Sequence, residues 1–241
     1  MKKITITLLI LLGMTSFGAM AGESGMPLDK APVDITDNAS LKRGAETFVN
    51  YCLTCHGASY MRYNRHRDID YTNEEILEKM VLTGQKVGDL MQSAMRKKEG
   101  EEWFGVIPPD LSVIARSRGA DWLYTYLRAF YRDDATGTGW NNLVFDRAAM
   151  PHVLYELQGE QKLIVKTSEK GDQKSLVLDK TGQLSKADFD KFVGDLVNYL
   201  VYLGEPHANE RKKLGIEVMI FLLGFLGLAY LLKKEYWKDI H

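Results

Sequence analysis

Two cysteines in 241 residues are too few for a disulfide scaffold, and no second thiol pair exists to complete a zinc site. Neither sign of charge prevails. The 31 basic residues stand against 32 acidic ones, a formal net charge of −1, so the composition offers no basic face and no nucleic acid partner is expected. No internal repeat or low-complexity segment occurs, which excludes a repeat array or a linker-like chain. The 45% hydrophobic content is ordinary for a globular chain. Its distribution is not ordinary, because long apolar runs occur at both ends.

The first run follows Lys2 and Lys3, extends from Ile4 to Gly18 and ends at Ala19-Met20-Ala21. A basic start, an apolar stretch and a small-x-small site make a secretory signal peptide, read here as residues 1–21 and cleaved. An uncleaved anchor is the alternative, and the run is short for a span. The second run, Leu214 to Leu232, has 19 residues. At about 1.5 Å per residue it extends ~28 Å, close to the ~30 Å hydrocarbon core. Basic residues flank it on both sides, so loop charge orients it poorly and the signal peptide decides. The expected plan is an exported domain over 22–210, a transmembrane anchor over 211–233 and a cytoplasmic tail over 234–241. A buried core helix is the alternative for the second run.

Between the ends the patterns are mostly helical. Ser40 reads as the N-cap of an amphipathic helix over 41–51, with Leu41, Ala45, Phe48 and Val49 on one face. Thr72 and Glu75 form a capping box for a helix over 72–83, with Ile76, Leu77, Met80 and Val81 as its buried stripe. Pro108-Pro109 breaks regular structure, and Asp110 or Ser112 can cap the next element. Residues 121–131 read as an aromatic-rich helix. Residues 163–166 and 175–178 resemble a small hairpin. Ser185 and Asp188 open a last helix carrying Phe189, Phe192, Val193, Leu196, Tyr199, Leu200 and Leu203, which Gly204-Glu205-Pro206 stops. Gly44 offers a close approach between the first and last helices, near Tyr199 and Tyr202.

Cys52-Leu53-Thr54-Cys55-His56 is a C-x-x-C-H motif, the attachment sequence of a c-type haem. Two thiols at this spacing each reach one vinyl group of a single macrocycle, forming thioethers. The histidine after them is forced to one face of the ring, beside the iron. A thioredoxin-like dithiol would need a βαβ setting, whereas this motif comes directly after a helix.

A low-spin electron carrier needs a second axial ligand, usually His or Met. His241 lies beyond the anchor, and His207 sits against the membrane. His66 falls ten residues after His56 in a very polar stretch. Met150 stands out in Ala149-Met150-Pro151, after a Gly/Asn-rich loop, because the proline fixes the backbone beside it. His152 is its main rival. The remaining methionines near helices read as packing residues. Tyr60, Tyr63, Trp122, Tyr124, Tyr126, Phe130 and Tyr131 read as buried packing around a large cofactor rather than as an electron path. The acidic groups Glu99, Glu101, Glu102, Asp133 and Asp134 are either solvated loops or a docking surface for a basic partner.

The segments CLTCHGASYMRYNR (52–65), PPDLSVIARSRG (108–119), DWLYTYLRAFYRD (121–133), NNLVF (141–145), AMPHVLYELQG (149–159) and the tail ending LKKEYWKDIH together resemble the cytochrome c1 family, the haem c subunits of the bc1 complex, in its bacterial form. The resemblance covers nearly all of the mature chain. It implies a mostly α fold, a cytochrome c-type helical haem domain with insertions plus one C-terminal transmembrane helix. It implies one covalent haem c on Cys52 and Cys55, axial ligation by His56 and Met150, a propionate contact from Arg116, and Pro109 and Leu111 packing near the haem. A solvated surface charge is the alternative for Arg116. Some family members carry a further cysteine pair near the methionine ligand. This chain has none, so packing and the Ala-Met-Pro backbone are expected to position Met150.

The implied function is electron transfer, as a subunit of ubiquinol–cytochrome c reductase, from the Rieske iron–sulfur protein to a cytochrome c acceptor. No quinol chemistry occurs on this subunit. Cytochrome b is a further partner in a dimeric multi-subunit complex. The location implied is the bacterial inner membrane, single-pass, with the haem domain in the periplasm and the C-terminus cytoplasmic. A tethered cytochrome c serving an oxidase, and a haem sensor or peroxidase with an open sixth position, are the rival readings.

Overall fold

The computed structural model describes residues 27–81, 84–168 and 171–238, so the signal-peptide reading lies outside the described residues. Helix α1 spans Asn38–Thr47, and its cap is Asp37, whose carboxylate accepts from Ser40 N at 3.0 Å. Ser40, expected as the cap, lies instead inside the first turn. It is buried there, and its Oγ accepts from Asn198 Nδ2 at 3.0 Å. The helix therefore starts before the apolar periodicity does.

After Thr47 the ladder widens into a π-turn over Phe48–Cys52, where Leu53 N donates to Phe48 O at 2.9 Å. Such bulges often mark functional sites. Here the turn delivers Cys52 to a tight bend in which Cys55 N and His56 N both donate to Cys52 O, at 3.1 and 2.8 Å. Strand β1 (Ala58–Arg62) is next, then a 3-10 segment over Tyr63–Ile69. Helix α2 (Asn73–Lys79) carries the expected Thr72/Glu75 capping box, and Met80 is its C-cap. Ile76 and Met80 are buried, but Leu77 is 49% exposed, so the stripe is narrower than the pattern implied.

Strand β2 (Leu90–Met91) pairs antiparallel with β1. Helices α3 (Lys97–Phe104), α4 (Ile114–Arg118) and α5 (Ala120–Arg128) come next. No side chain caps α4; Asp110 and Ser112 bond elsewhere. The aromatic helix ends earlier than expected, because Phe130–Arg132 (β3) pairs antiparallel with Trp140–Asn142 (β4). A one-turn helix α6 (Tyr155–Gln158) leads into β5 (Gly159–Ser168) and β6 (Gly171–Thr181), a longer hairpin than the sequence suggested. Helix α7 (Lys186–Gly204) is capped by Ser185, which accepts from Asp188 N at 3.2 Å.

The core is built around the crossing of α1 and α7. A Cβ on Gly44 would lie 2.1 Å from the Asp195 carbonyl oxygen and 2.7 Å from Tyr199 Cβ, so only glycine lets the axes come this close. Arg43 clamps the crossing with two bonds to Asp195, at 2.6 and 3.0 Å. Helix α8 (Ala208–Tyr236) is exposed along its length. Among the described residues it is the helix long and apolar enough to cross a membrane. Helices dominate, as expected, and the short two-stranded sheets are insertions between them.

Candidate functional site

The C-x-x-C-H turn supplies two half-buried thiols. Burial, with a smaller effect of Cys55, pushes the Cys52 thiol up to about 12, and burial also raises Cys55. Both are therefore protonated thiols in this structure. Among the described residues no group of three or more His, Cys, Asp or Glu side chains could hold a metal ion.

His56 is half-buried, and burial lowers its pKa, so the ring is neutral. Its Nδ1 lies 2.8 Å from the Pro109 carbonyl oxygen, which can only accept. Nδ1 therefore carries the proton and Nε2 keeps a free lone pair, the arrangement a ligating imidazole requires. The Pro109 segment is itself pinned. Leu111 N donates to Gly57 O at 2.7 Å, Ser59 N donates to Asp110 at 2.8 Å, and Tyr60 N donates to Ser112 Oγ at 3.0 Å. Asp110 also accepts from Ser112 N at 2.9 Å. Pro109 thus acts through its carbonyl, while Leu111 is half-buried against the core.

Met150 is half-buried, and its Sδ accepts from the Tyr126 hydroxyl at 3.6 Å. The loop carrying it is knitted by two buried asparagines. Asn142 Oδ1 accepts from Val144 N and Phe145 N, at 2.9 and 3.2 Å, and its Nδ2 donates to Tyr126 O at 2.8 Å. Asn141 Oδ1 accepts from Arg147 N at 2.8 Å, and its Nδ2 donates to Asp133 and Asp146. Packing and the Ala-Met-Pro backbone were expected to hold Met150. This polar network was not expected, although the Asn141-Asn142 pair after a turn-rich loop was the available signal.

His152, the rival ligand, is 2% exposed. Its ring stacks on Phe130 (5.0 Å, 4°) and meets the Trp140 ring edge-on (5.0 Å, 82°). Its Nε2 has no hydrogen-bond partner among the described residues. His66 is fully buried rather than surface-polar. Its Nδ1 bonds Tyr63 O at 2.8 Å and its Nε2 meets the Tyr199 hydroxyl at 2.6 Å, a latch between the 3-10 segment and α7. Arg116 is exposed on α4, its stem against Gly204, where a Cβ would lie 3.2 Å from Arg116 Cγ. Among the acidic residues, Glu99 pairs with Arg96 and Asp133 bonds Asn141, leaving Glu101, Glu102 and Asp134 exposed.

Cys52, Leu111, Ile114, Met150 and Val153 are half-buried apolar side chains from three separate segments seated on one core. Two cavities flank the 95–109 segment. One is lined by Cys55, Met95, Ile107, Pro108 and Pro109, and the other by Trp103, Phe104, Ala148 and Ala149. Paired thiols, an oriented neutral imidazole and a held thioether are the donor set that haem c takes.

A family model described as the Cytochrome C1 family matches residues 29–240. The chain is 44% identical to cytochrome c1 of Allochromatium vinosum, covering 100% of both chains. It is 59% identical, again over 100% of both, to a Nitrosomonas europaea protein named ammonia monooxygenase gamma subunit. Mitochondrial cytochrome c1 of Saccharomyces cerevisiae is 25% identical over 87% of this chain and 70% of its own. The haem-type donor set, the long apolar C-terminal helix and a match spanning almost the whole sequence converge: the chain belongs to the cytochrome c1 family, haem c-binding electron-transfer subunits of the bc1 complex.

Proposed function

We propose that this chain passes electrons from the Rieske iron–sulfur protein to a cytochrome c acceptor through one covalent haem c. Cys52 and Cys55 form the thioethers, and His56 and Met150 are the axial ligands. Arg116 contacts a propionate, and Pro109 and Leu111 lie beside the haem. Residues 1–21 are a cleaved leader, 22–210 the periplasmic haem domain, 211–233 the anchor in the inner membrane and 234–241 a cytoplasmic tail. The chain works in a dimeric complex with cytochrome b.

The observation that carries this reading is the His56 Nδ1–Pro109 contact immediately after the paired thiols. Bound haem supplies a one-electron ferric/ferrous couple. The protein's part is to hold the ligands in one geometry in both oxidation states. The Pro109 carbonyl prevents the His56 ring from turning. The bonds from Gly57, Asp110 and Ser112 keep that carbonyl in place. Met150 is preferred to His152 because His152 is 2% exposed and packed among aromatic rings, against Phe130 and Trp140, whereas Met150 is only half-buried.

Two measurements test the site. A proteolytic fragment containing residues 52–56 should keep haem mass after denaturation. Met150→Leu should lose the weak visible charge-transfer band of a thioether on ferric iron and lower the midpoint potential. An unchanged band and potential would remove Met150 from the ligand set. The name of the Nitrosomonas europaea relative favours a second reading, in which the same haem subunit associates with a monooxygenase rather than with cytochrome b. Identification of the co-purifying subunits separates the two.

A further inference from the structure

Helix α5 places Trp122 and Tyr126 four residues apart on one face, and Phe130 lies where the chain leaves the helix. Tyr126 is 9% exposed and its ring is clamped. It stacks on Trp122 (4.8 Å, 10°) and meets Phe130 edge-to-face (5.0 Å, 67°). The clamp leaves the hydroxyl little freedom, and the hydroxyl donates to Met150 Sδ at 3.6 Å. The Tyr126 carbonyl accepts from Asn142, so one residue binds both the sulfur and the loop that carries it.

A phenylalanine would fill the stack equally well, so packing does not account for the hydroxyl. A buried hydroxyl calls for a partner, and a thioether is a weak one. A thioether has two lone pairs. One can bind a metal while the other accepts a hydrogen bond, and the bond then fixes which side of the sulfur is presented. The positive end of the O–H dipole also draws electron density from the sulfur. This disfavours the oxidised metal, which carries more positive charge, and raises the potential.

We infer that Tyr126 is a positioning residue whose hydroxyl orients the Met150 thioether and raises the potential of the site. The inference rests on Met150 being the sixth ligand.

The test is Tyr126→Phe in the full chain, purified in its native complex beside wild type, Met150→Leu and Phe130→Leu. Tyr126→Phe should keep covalent haem and the thioether band. Its equilibrium constant for reduction should fall, by at most about tenfold, the ceiling set by one ordinary hydrogen bond. Cyanide or imidazole should also displace the sulfur faster. Phe130→Leu thins the ring clamp but keeps the hydroxyl, and should change the potential much less. A Tyr126→Phe protein with wild-type potential and displacement rate overturns the inference, as does an equal shift from Phe130→Leu, which would assign the effect to packing. A thioether band that persists in Met150→Leu rejects the ligand assignment itself.

Discussion

His66 shows how one buried side chain makes the fold sensitive to acid. Its Nδ1 faces a carbonyl and so carries the proton of the neutral ring, which leaves Nε2 to accept from the Tyr199 hydroxyl, and the charged ring would sit fully buried. Burial, opposed by the Tyr63 bond and Asp68, pushes its pKa down to about 4 from 6.5. Because the folded pKa is depressed, the unfolded chain takes the proton first. The stability His66 contributes is complete above pH ~6.5 and is lost as pH falls towards ~4, by at most about 1.4 kcal/mol per pH unit. Denaturation midpoints measured over this interval should fall more steeply for wild type than for His66→Gln. Equal slopes would mean that His66 is not the group responsible. No local pattern points to this role, since His66 sits among Arg65, Arg67 and Asp68 and its burial depends on α7, over a hundred residues away.

At the level of elements, the α1–α7 crossing and the loop before Met150 carry most of the organisation. Gly44→Ala would drive a methyl group into the Asp195 carbonyl, which belongs to backbone and cannot swing away. A destabilisation of about 3 kcal/mol is expected, the upper end of ordinary overpacking, visible as a lower denaturant midpoint. Asn142→Ala should cost up to about 3 kcal/mol, because it leaves Val144 N and Phe145 N without their acceptor and removes one of the two bonds on Tyr126 O. It should also weaken the thioether band, since those bonds hold the chain that leads to Met150.

The close approach at Gly44, the Thr72 and Ser185 caps and the break at Gly204 were legible because each depends on residues adjacent in the chain or on one glycine. The C-x-x-C-H motif was legible for the same reason. Features hidden in the sequence depend on partners far along the chain. Asp37 displaced Ser40 as a cap because Ser40 was needed by Asn198. Asp110 was expected to cap a helix but fastens the Pro109 segment to β1 instead. Tyr126 read as packing because its sulfur partner lies 24 residues on.

As a whole, the molecule joins a packed, mostly helical domain to the long exposed apolar helix α8. The last turn before that helix is tied back to the domain. Arg65 bonds His207 at 2.7 Å and Asp68 at 2.6 Å, and the Tyr202 hydroxyl donates to Arg65 O at 3.4 Å. The His56 side and the anchor are thus linked through the 3-10 segment, which fits a carrier held at a fixed height above the membrane. Fixed height matters for electron transfer between proteins, because the donor must reach the same edge each time. Whether this carrier serves a quinol-oxidising complex, as proposed, is decided by gentle detergent extraction of the native protein, with identification of the co-purifying subunits and quinol-driven reduction of its haem c. Covalent haem c should purify with b-type haem and an iron–sulfur protein, be reduced by quinol and be reoxidised by cytochrome c. Haem c that purifies with oxidase or monooxygenase subunits, and that quinol does not reduce, would refute the proposal.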